Sequence, residues 1–238
     1  MSLNKQKVIV VGGSSGMGLA IAEAAAVAGA VVIIASQSSE KLDSAVTESR
    51  GELQPRILDI CNESEVEVFF NDIKAFDHLV ISAAAPGTGL ISKMKTELAH
   101  KFFDTKFWGA YYCAKYGAPH LSHKGSITFI SGVASRSPMI GLSVAGACNG
   151  ALESLGRSLA LEFSPIRVNT ISPGLINTPL YSKMPDEQRA QLFESTAIQL
   201  PAQRIGQSQD IASVALMLME NGFISGSVID VDGGALIA

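Results

Sequence analysis

The sequence predicts an α/β protein: one domain holding a doubly wound parallel sheet of about seven strands with helices on both faces. Three observations carry that expectation. Short β-branched runs alternate with longer segments of helical apolar spacing along the whole 238 residues, and such alternation implies parallel crossovers. The strand candidates are apolar at consecutive positions, as in Val8-Ile9-Val10-Val11 and Val31-Val32-Ile33-Ile34, which is the pattern of strands covered on both faces. No Pro/Ser-rich linker, repeat or low-complexity tract divides residues 1–238.

In chain order, a strand at Lys7–Val11 runs through Gly12-Gly13-Ser14-Ser15-Gly16-Met17-Gly18 into a helix over 18–28, and a second strand follows at 31–35. A third strand over 53–58 precedes a helix over 64–73, and a fourth over 78–82 precedes a long helix over 98–116. The fifth strand, 126–131, leads to a helix over 145–163 and then a sixth strand over 167–171. The rhythm breaks at 173–206, where Pro173, Pro179, Pro185 and Pro201 surround a short amphipathic helix over 186–197. A long insertion at a strand's C-terminal end is positioned to act as a lid. A helix over 209–219 and a strand at Val228–Val231 close the pattern.

Composition narrows the function classes. Apolar residues make up 47% and charged residues 17%, enough for a sizeable core and unlike a disordered chain. A net charge of −4 gives no basic field to hold nucleic acid or anionic lipid. Cys61, Cys113 and Cys148 lack CxxC spacing, which suits a reducing compartment better than a disulfide framework, and no metal site is read. The polar start, residues 1–7, and an apolar run that stops at Gly12 do not form a signal-peptide core. The longest apolar stretch, 24–35, contains Gly29 and falls short of the roughly 20 residues a membrane span needs. The expectation is a soluble, cytoplasmic protein with a small-molecule substrate and neither nucleic-acid nor membrane partners.

The glycine-rich turn sits between strand and helix, the context in which it binds a dinucleotide pyrophosphate. Gly12 permits the tight turn, Gly16 lets backbone approach the phosphates, and Gly18 lets helix and strand pack closely. Free N–H groups at the helix start then face the anion. Gly12, Ser14, Ser15, Gly16, Met17 and Gly18 are the candidate phosphate-holding residues. After the second strand come Ser36, Gln37 and Ser38, with no carboxylate before Glu40. A carboxylate there would hold the ribose hydroxyls of NAD and repel a 2′-phosphate. Its absence favours NADP(H) over NAD(H), although no cation stands at Gln37 either.

The spacing Gly-x-x-x-Gly-x-Gly resembles the short-chain dehydrogenase/reductase family, a Rossmann-type fold, and further stretches agree in order. Leu58-Asp59-Ile60 looks like the adenine-contacting segment after the third strand, and Asp77-His78-Leu79-Val80 like the start of the fourth. Ser131 closes the fifth strand, where the resemblance puts a catalytic serine. Pro173-Gly174, with Ile176 and Thr178, looks like the loop that holds the nicotinamide carboxamide. Val231-Asp232-Gly233-Gly234 is similar to the family's C-terminal signature.

The family works with Asn, Ser, Tyr and Lys, and here the pattern departs. Ala145 stands where the tyrosine belongs and Asn149 where the lysine belongs, and no tyrosine lies between Tyr116 and Tyr181. Lys106, just before Trp108-Gly109, occupies the asparagine's place. Lysine and asparagine have exchanged positions, which implies one ammonium and one amide in the same pocket. The alternative for Lys106 is an ordinary solvated helix lysine. Ile81-Ser82-Ala83-Ala84 replaces the usual Asn-Asn-Ala-Gly, leaving Ala83 and Ala84 as candidates beside the adenosine. Arg136 reads as an exposed arginine near the cleft and is left out of the site.

Two functions follow. One is an NADP(H)-dependent oxidoreductase that reduces a small-molecule carbonyl, with Ser131, Lys106 and Asn149 as catalytic candidates. The other is a catalytically inactive NADP(H)-binding sensor or partner subunit. The helices over 98–116 and 145–163 are apolar on more than one face, and the resemblance implies a homo-oligomer, a tetramer or dimer.

Overall fold

The computed structural model describes residues 3–83, 85 and 88–238. Seven parallel strands form one sheet: β1 (Lys7–Val11), β2 (Val31–Ser36), β3 (Leu53–Ile57), β4 (Phe76–Ile81), β5 (Leu121–Ile130), β6 (Arg167–Pro173) and, last in the chain, β9 (Val228–Val231). Their order is β3-β2-β1-β4-β5-β6-β9. Successive side chains of one strand leave by opposite faces, and here both faces are covered. Ile9 and Val11 join Phe70, Cys113 and Leu152 on one side, while Val8 and Val10 join Ile21, Leu42 and Ile211 on the other. That is why the strands read as continuously apolar.

The first face carries α3 (Glu63–Ile73), α5 (Gly109–Gly117) and α6 (Ser143–Glu162); the second carries α1 (Gly16–Val27), α2 (Ser39–Glu48) and α8 (Ser208–Glu220). The sequence reading missed α2. Its decapeptide SEKLDSAVTE buries only Leu42 and Ala45, too few to set a period, and the helix is started by Ser38, whose hydroxyl accepts from the Lys41 N–H at 3.2 Å.

The long helix expected over 98–116 is three pieces. α4 (Thr96–Phe103) runs into a π turn, Asp104–Trp108, and continues as α5. The π turn lodges one extra residue in the helix and sets Lys106 within it. The 173–206 insertion is pinned at both ends by a small parallel pair, β7 (Ile176–Asn177) with β8 (Gly206–Gln207). Between them lies α7 (Asp186–Gln199), which has no fully buried residue and touches Tyr181 through the edge of Phe193.

Strand order reverses between β1 and β4, and the crevice at such a switch point, beyond the strands' C-terminal ends, is where open α/β sheets take ligands. Among the described residues, no helix is long and apolar enough to cross a membrane.

Candidate active site

The glycine turn occupies that crevice. Gly12 has φ +80° and its N–H donates to the Ala35 carbonyl at 2.8 Å. A Cβ on Gly12 would lie 2.6 Å from the Ala83 nitrogen, and one on Gly18 only 2.2 Å from the Gly12 carbonyl oxygen. Neither position admits a side chain. Ser15 is the N-cap of α1, yet its side chain caps nothing. Its hydroxyl and the first N–H groups of α1 therefore remain free for an anion, with Ser14, Gly16 and Met17 around them. The cradle fits a dinucleotide pyrophosphate.

On the adenosine side, Ser36 ends β2 and the Gln37 amide donates to Asp59 Oδ1, which also accepts from the Cys61 N–H at 2.8 Å. Ser38 caps α2. Ile60 is buried, its side chain packed against Gly109. Ala83 abuts Gly12, whereas Ala84 lies outside the described residues. On the opposite side, the Gly174 N–H donates to the Val231 carbonyl at 3.0 Å, fixing the Pro173-Gly174 turn against β9. Ile176 is buried in β7, and Thr178 comes close to Gly16, 3.5 Å from where its Cβ would stand. The phosphate turn thus lies between Ala83 on one side and Thr178 on the other.

The chemical corner lies at the end of β5. The Lys106 ammonium donates to the Ser131 carbonyl at 2.9 Å and sits 5.8 Å from the centre of the Phe102 ring. It is no solvated helix lysine. Burial lowers it to about 8, while Cys148 and Glu153 pull part of the way back. Asn149, 4% exposed, donates its amide to the Gly132 carbonyl at 3.1 Å, and its Oδ1 is buried without a partner among the described residues. The ammonium and the amide are therefore anchored to consecutive carbonyls of one loop.

Ser131 departs from the sequence expectation. Its hydroxyl, on a residue 5% exposed, shares its proton between Glu153 Oε1 at 3.1 Å and the Ile171 carbonyl at 3.3 Å. The reason is strand parity: adjacent side chains point oppositely. The position that faces the Asn149 amide is Gly132, where a Cβ would stand 2.9 Å from Asn149 Nδ2. Gly132 and Ala145 bring no hydroxyl to this corner, where the Lys106 ammonium stands. Ser131 contributes its carbonyl.

Sequence reasoning also missed Glu153 and the partners of Arg136. Glu153 stands one turn after Asn149 on the same buried face of α6, a spacing that was readable. It accepts from Ser131 and, at 2.7 Å, from the Ser135 hydroxyl. Arg136 is exposed, as read, but it is paired. It chelates Asp230 of β9, donates to Ser172 Oγ of β6 at 3.0 Å, and brings Nε within 3.7 Å of Glu153. That clamp occupies its guanidinium. Among the described residues there is no cluster of three metal-ligating side chains.

Comparison with known proteins agrees with this geometry. Residues 11–235 match the family model described as Enoyl-(Acyl carrier protein) reductase. A short-chain dehydrogenase/reductase of an Acremonium species, ucsE, is 30% identical over 99% of this chain and 97% of its own length. A crystal structure of a small-chain dehydrogenase in complex with NADPH is 36% identical, with a TM-score of 0.84 over 99% of this chain and 100% of that one. The structure of ElxO with NADP bound superposes with a TM-score of 0.90 at 28% identity, covering 98% of this chain and 100% of that one.

Proposed function

Because this chain belongs to the short-chain dehydrogenase/reductase family, we propose that it is an NADP(H)-dependent oxidoreductase that reduces a small-molecule carbonyl with Lys106 as the proton donor. The observation that carries this reading is the Lys106 ammonium, anchored 2.9 Å from the Ser131 carbonyl and lowered to about 8. A general acid works best with a pKa near the operating pH. When bound, NADPH supplies the hydride. Lys106 gives a proton to the carbonyl oxygen as that oxygen gains charge, and the amine then takes a proton from solvent. Asn149 holds the nicotinamide ribose, and the Ser131 and Gly132 carbonyls keep both side chains aimed.

Gly12, Ser14, Ser15, Gly16, Met17 and Gly18 hold the pyrophosphate, and Asp59, Ile60 and Ala83 flank the adenosine. Pro173, Gly174, Ile176 and Thr178 hold the carboxamide. NADP(H) is favoured because Ser36, Gln37 and Ser38 offer hydroxyls and an amide at the N-terminus of α2, with Lys41 in its first turn. The NADPH and NADP of the two structural neighbours support the same choice. The 173–206 segment closes over the substrate as a lid pivoting at the β7–β8 pair. The protein works in the cytoplasm as a homo-oligomer, tetramer or dimer. Half-exposed Trp108 and a cleft of about 430 Å³ between α4 and α6, lined by Phe103, Val144 and Ala147, support association on that flank.

A second reading, an NADP(H)-binding sensor without turnover, draws its support from Gly132 and Ala145, which bring no hydroxyl to the corner. Following NADPH oxidation by absorbance over a panel of ketones and aldehydes separates the two. Turnover that Lys106→Met abolishes upholds the first reading. Tight NADPH binding with no turnover on any panel member upholds the second.

A further inference from the structure

We propose that Asp230, Arg136 and Glu153 form a positioning relay that aims Lys106 and Asn149 and sets the proton affinity of the Lys106 amine. The inference deepens the reading of Lys106 as proton donor and rests on it. From solvent inward the signs alternate: Asp230, Arg136, Glu153, Lys106. Asp230 and Arg136 are part-exposed, with side-chain exposures of 32% and 38%, while Glu153 is buried at 6%.

The mechanical part runs through hydrogen bonds. Glu153 Oε1 accepts from Ser131 Oγ at 3.1 Å and Ser135 Oγ at 2.7 Å, holding both ends of the turn that follows β5. Ser135 Oγ also lies 3.2 Å from the Gly132 carbonyl. The two carbonyls inside that turn, Ser131 and Gly132, are the ones that accept from Lys106 and Asn149. Arg136 ties the same turn to the C-terminal halves of β6 and β9, through Ser172 and Asp230. A shift in Glu153 therefore moves the acceptors of both site side chains.

The electrostatic part acts through space. Lys106 has no ion pair among the described residues, and the groups facing it from α6 are Cys148 and Glu153; β5 contributes only the Ser131 carbonyl and its own helix only the Phe102 ring. Of those, Glu153 is the carboxyl group, the Cys148 thiol being pushed up to about 11 by burial. Arg136, at 3.7 Å from the carboxylate, opposes its pull on Lys106. A clamp that was only structural would need hydroxyl acceptors at 153 but no charge there.

The test reads Lys106 directly, in the full chain, without substrate. Lysine labelled with 13C and 15N is titrated by NMR, with Lys106→Met identifying its resonance. Glu153→Gln keeps an acceptor of the same size and removes the charge. The Lys106 midpoint should fall by about half a pH unit or more, since an opposite charge nearby favours the protonated form. Arg136→Met removes the opposing cation, so the midpoint should rise. Midpoints that stay put in both folded variants overturn the relay, and so do shifts of the same sign, which would mean general loosening. Should Glu153→Gln fail to fold, Glu153→Asp retracts the carboxylate by one carbon and must still lower the midpoint; an unchanged value overturns the proposal. NADPH affinity should stay within a few-fold in every variant, because the phosphates are held at the other side of the crevice. Failure of the carbonyl-reductase reading would appear as absent turnover, independent of these midpoints. Where turnover is measured, its alkaline limb should move with the NMR midpoint.

Discussion

The two ends of the sheet treat buried polar groups in opposite ways. At the N-terminal ends of the strands, His78 uses both ring nitrogens, Nδ1 with Ser126 Oγ and Nε2 with Gln6 Oε1, each at 2.8 Å. Arg167 donates to the carbonyls of Leu218, Met219 and Ile224, satisfying the last turn of α8. Asn169 gives its amide to the Ile224 carbonyl and accepts from the Ser227 N–H. At the C-terminal ends, Asn149 keeps an unanswered Oδ1 and Lys106 makes one bond with an ammonium that has three protons. A buried polar group left unsatisfied costs about 1–3 kcal/mol. The first end is nearly finished as structure, Thr128 Oγ1 beside Asn169 being buried without a partner among the described residues, whereas Asn149 and Lys106 at the second keep unused hydrogen-bonding capacity.

The sharpest way to break this contrast is Lys106→Met, which keeps the apolar stem and removes the charge. Turnover should fall about 10²- to 10⁴-fold, the usual contribution of a general acid, with NADPH affinity within a few-fold. Equal turnover would remove Lys106 from the chemistry. The same variant changes the pH dependence of stability. The folded-state amine, at about 8, lies below its ordinary 10.5, so the unfolded chain binds more protons between those values. Stability of the parent chain should therefore rise as pH climbs through that window, and urea melts of the Met variant should lack the slope.

The satisfied end predicts an acid weakness. Burial lowers His78 from 6.5 to about 4, so it is neutral when folded and charges first when unfolded. Its contribution is complete above pH 6.5 and is lost as pH falls through about 4, for about 3 kcal/mol in all. Chemical denaturation at closely spaced pH values would show this slope, and His78→Gln should flatten it. Arg167→Met should cost about 2–3 kcal/mol by stranding three carbonyls, while leaving NADPH binding untouched. A change in cofactor affinity there would blur the division between the two ends.

The smallest effect concerns cofactor choice. Gln37→Asp places a carboxylate beside the proposed 2′-phosphate position, and it should shift preference from NADPH toward NADH by about tenfold. Fluorescence titrations of parent and variant measure it, and identical curves for both cofactors in the parent would refute the preference.

Much of this was legible along the chain because it is local. β1 and β9 fall where their apolar runs predict, and the glycine turn sits between strand and helix as its spacing requires. What stayed hidden has three physical origins. The π turn adds one residue to a helix without disturbing which residues are apolar, so periodicity runs through it unmarked. The difference between Ser131 and Gly132 is one of strand parity, and a single position decides which side chain meets the amide. The Arg136–Asp230 pair spans 94 residues, a separation no local pattern encodes. Lys106 was found through a resemblance, and its burial became visible only once β5 lay beneath it.

The π turn at Asp104–Trp108 also makes this corner sensitive to chain length in a way few substitutions match. Gly109, Cys113 and Gly117 lock α5 against Ile60, Phe70 and Leu79, so that half of the helix cannot rotate. Deleting one residue from the wide turn would restore a regular α-helix, and everything on the α4 side would swing by about 100° and slide about 1.5 Å. The amine would then leave the Ser131 carbonyl while the core beneath α5 stayed intact. A three-nucleotide deletion can thus silence the site and spare the fold.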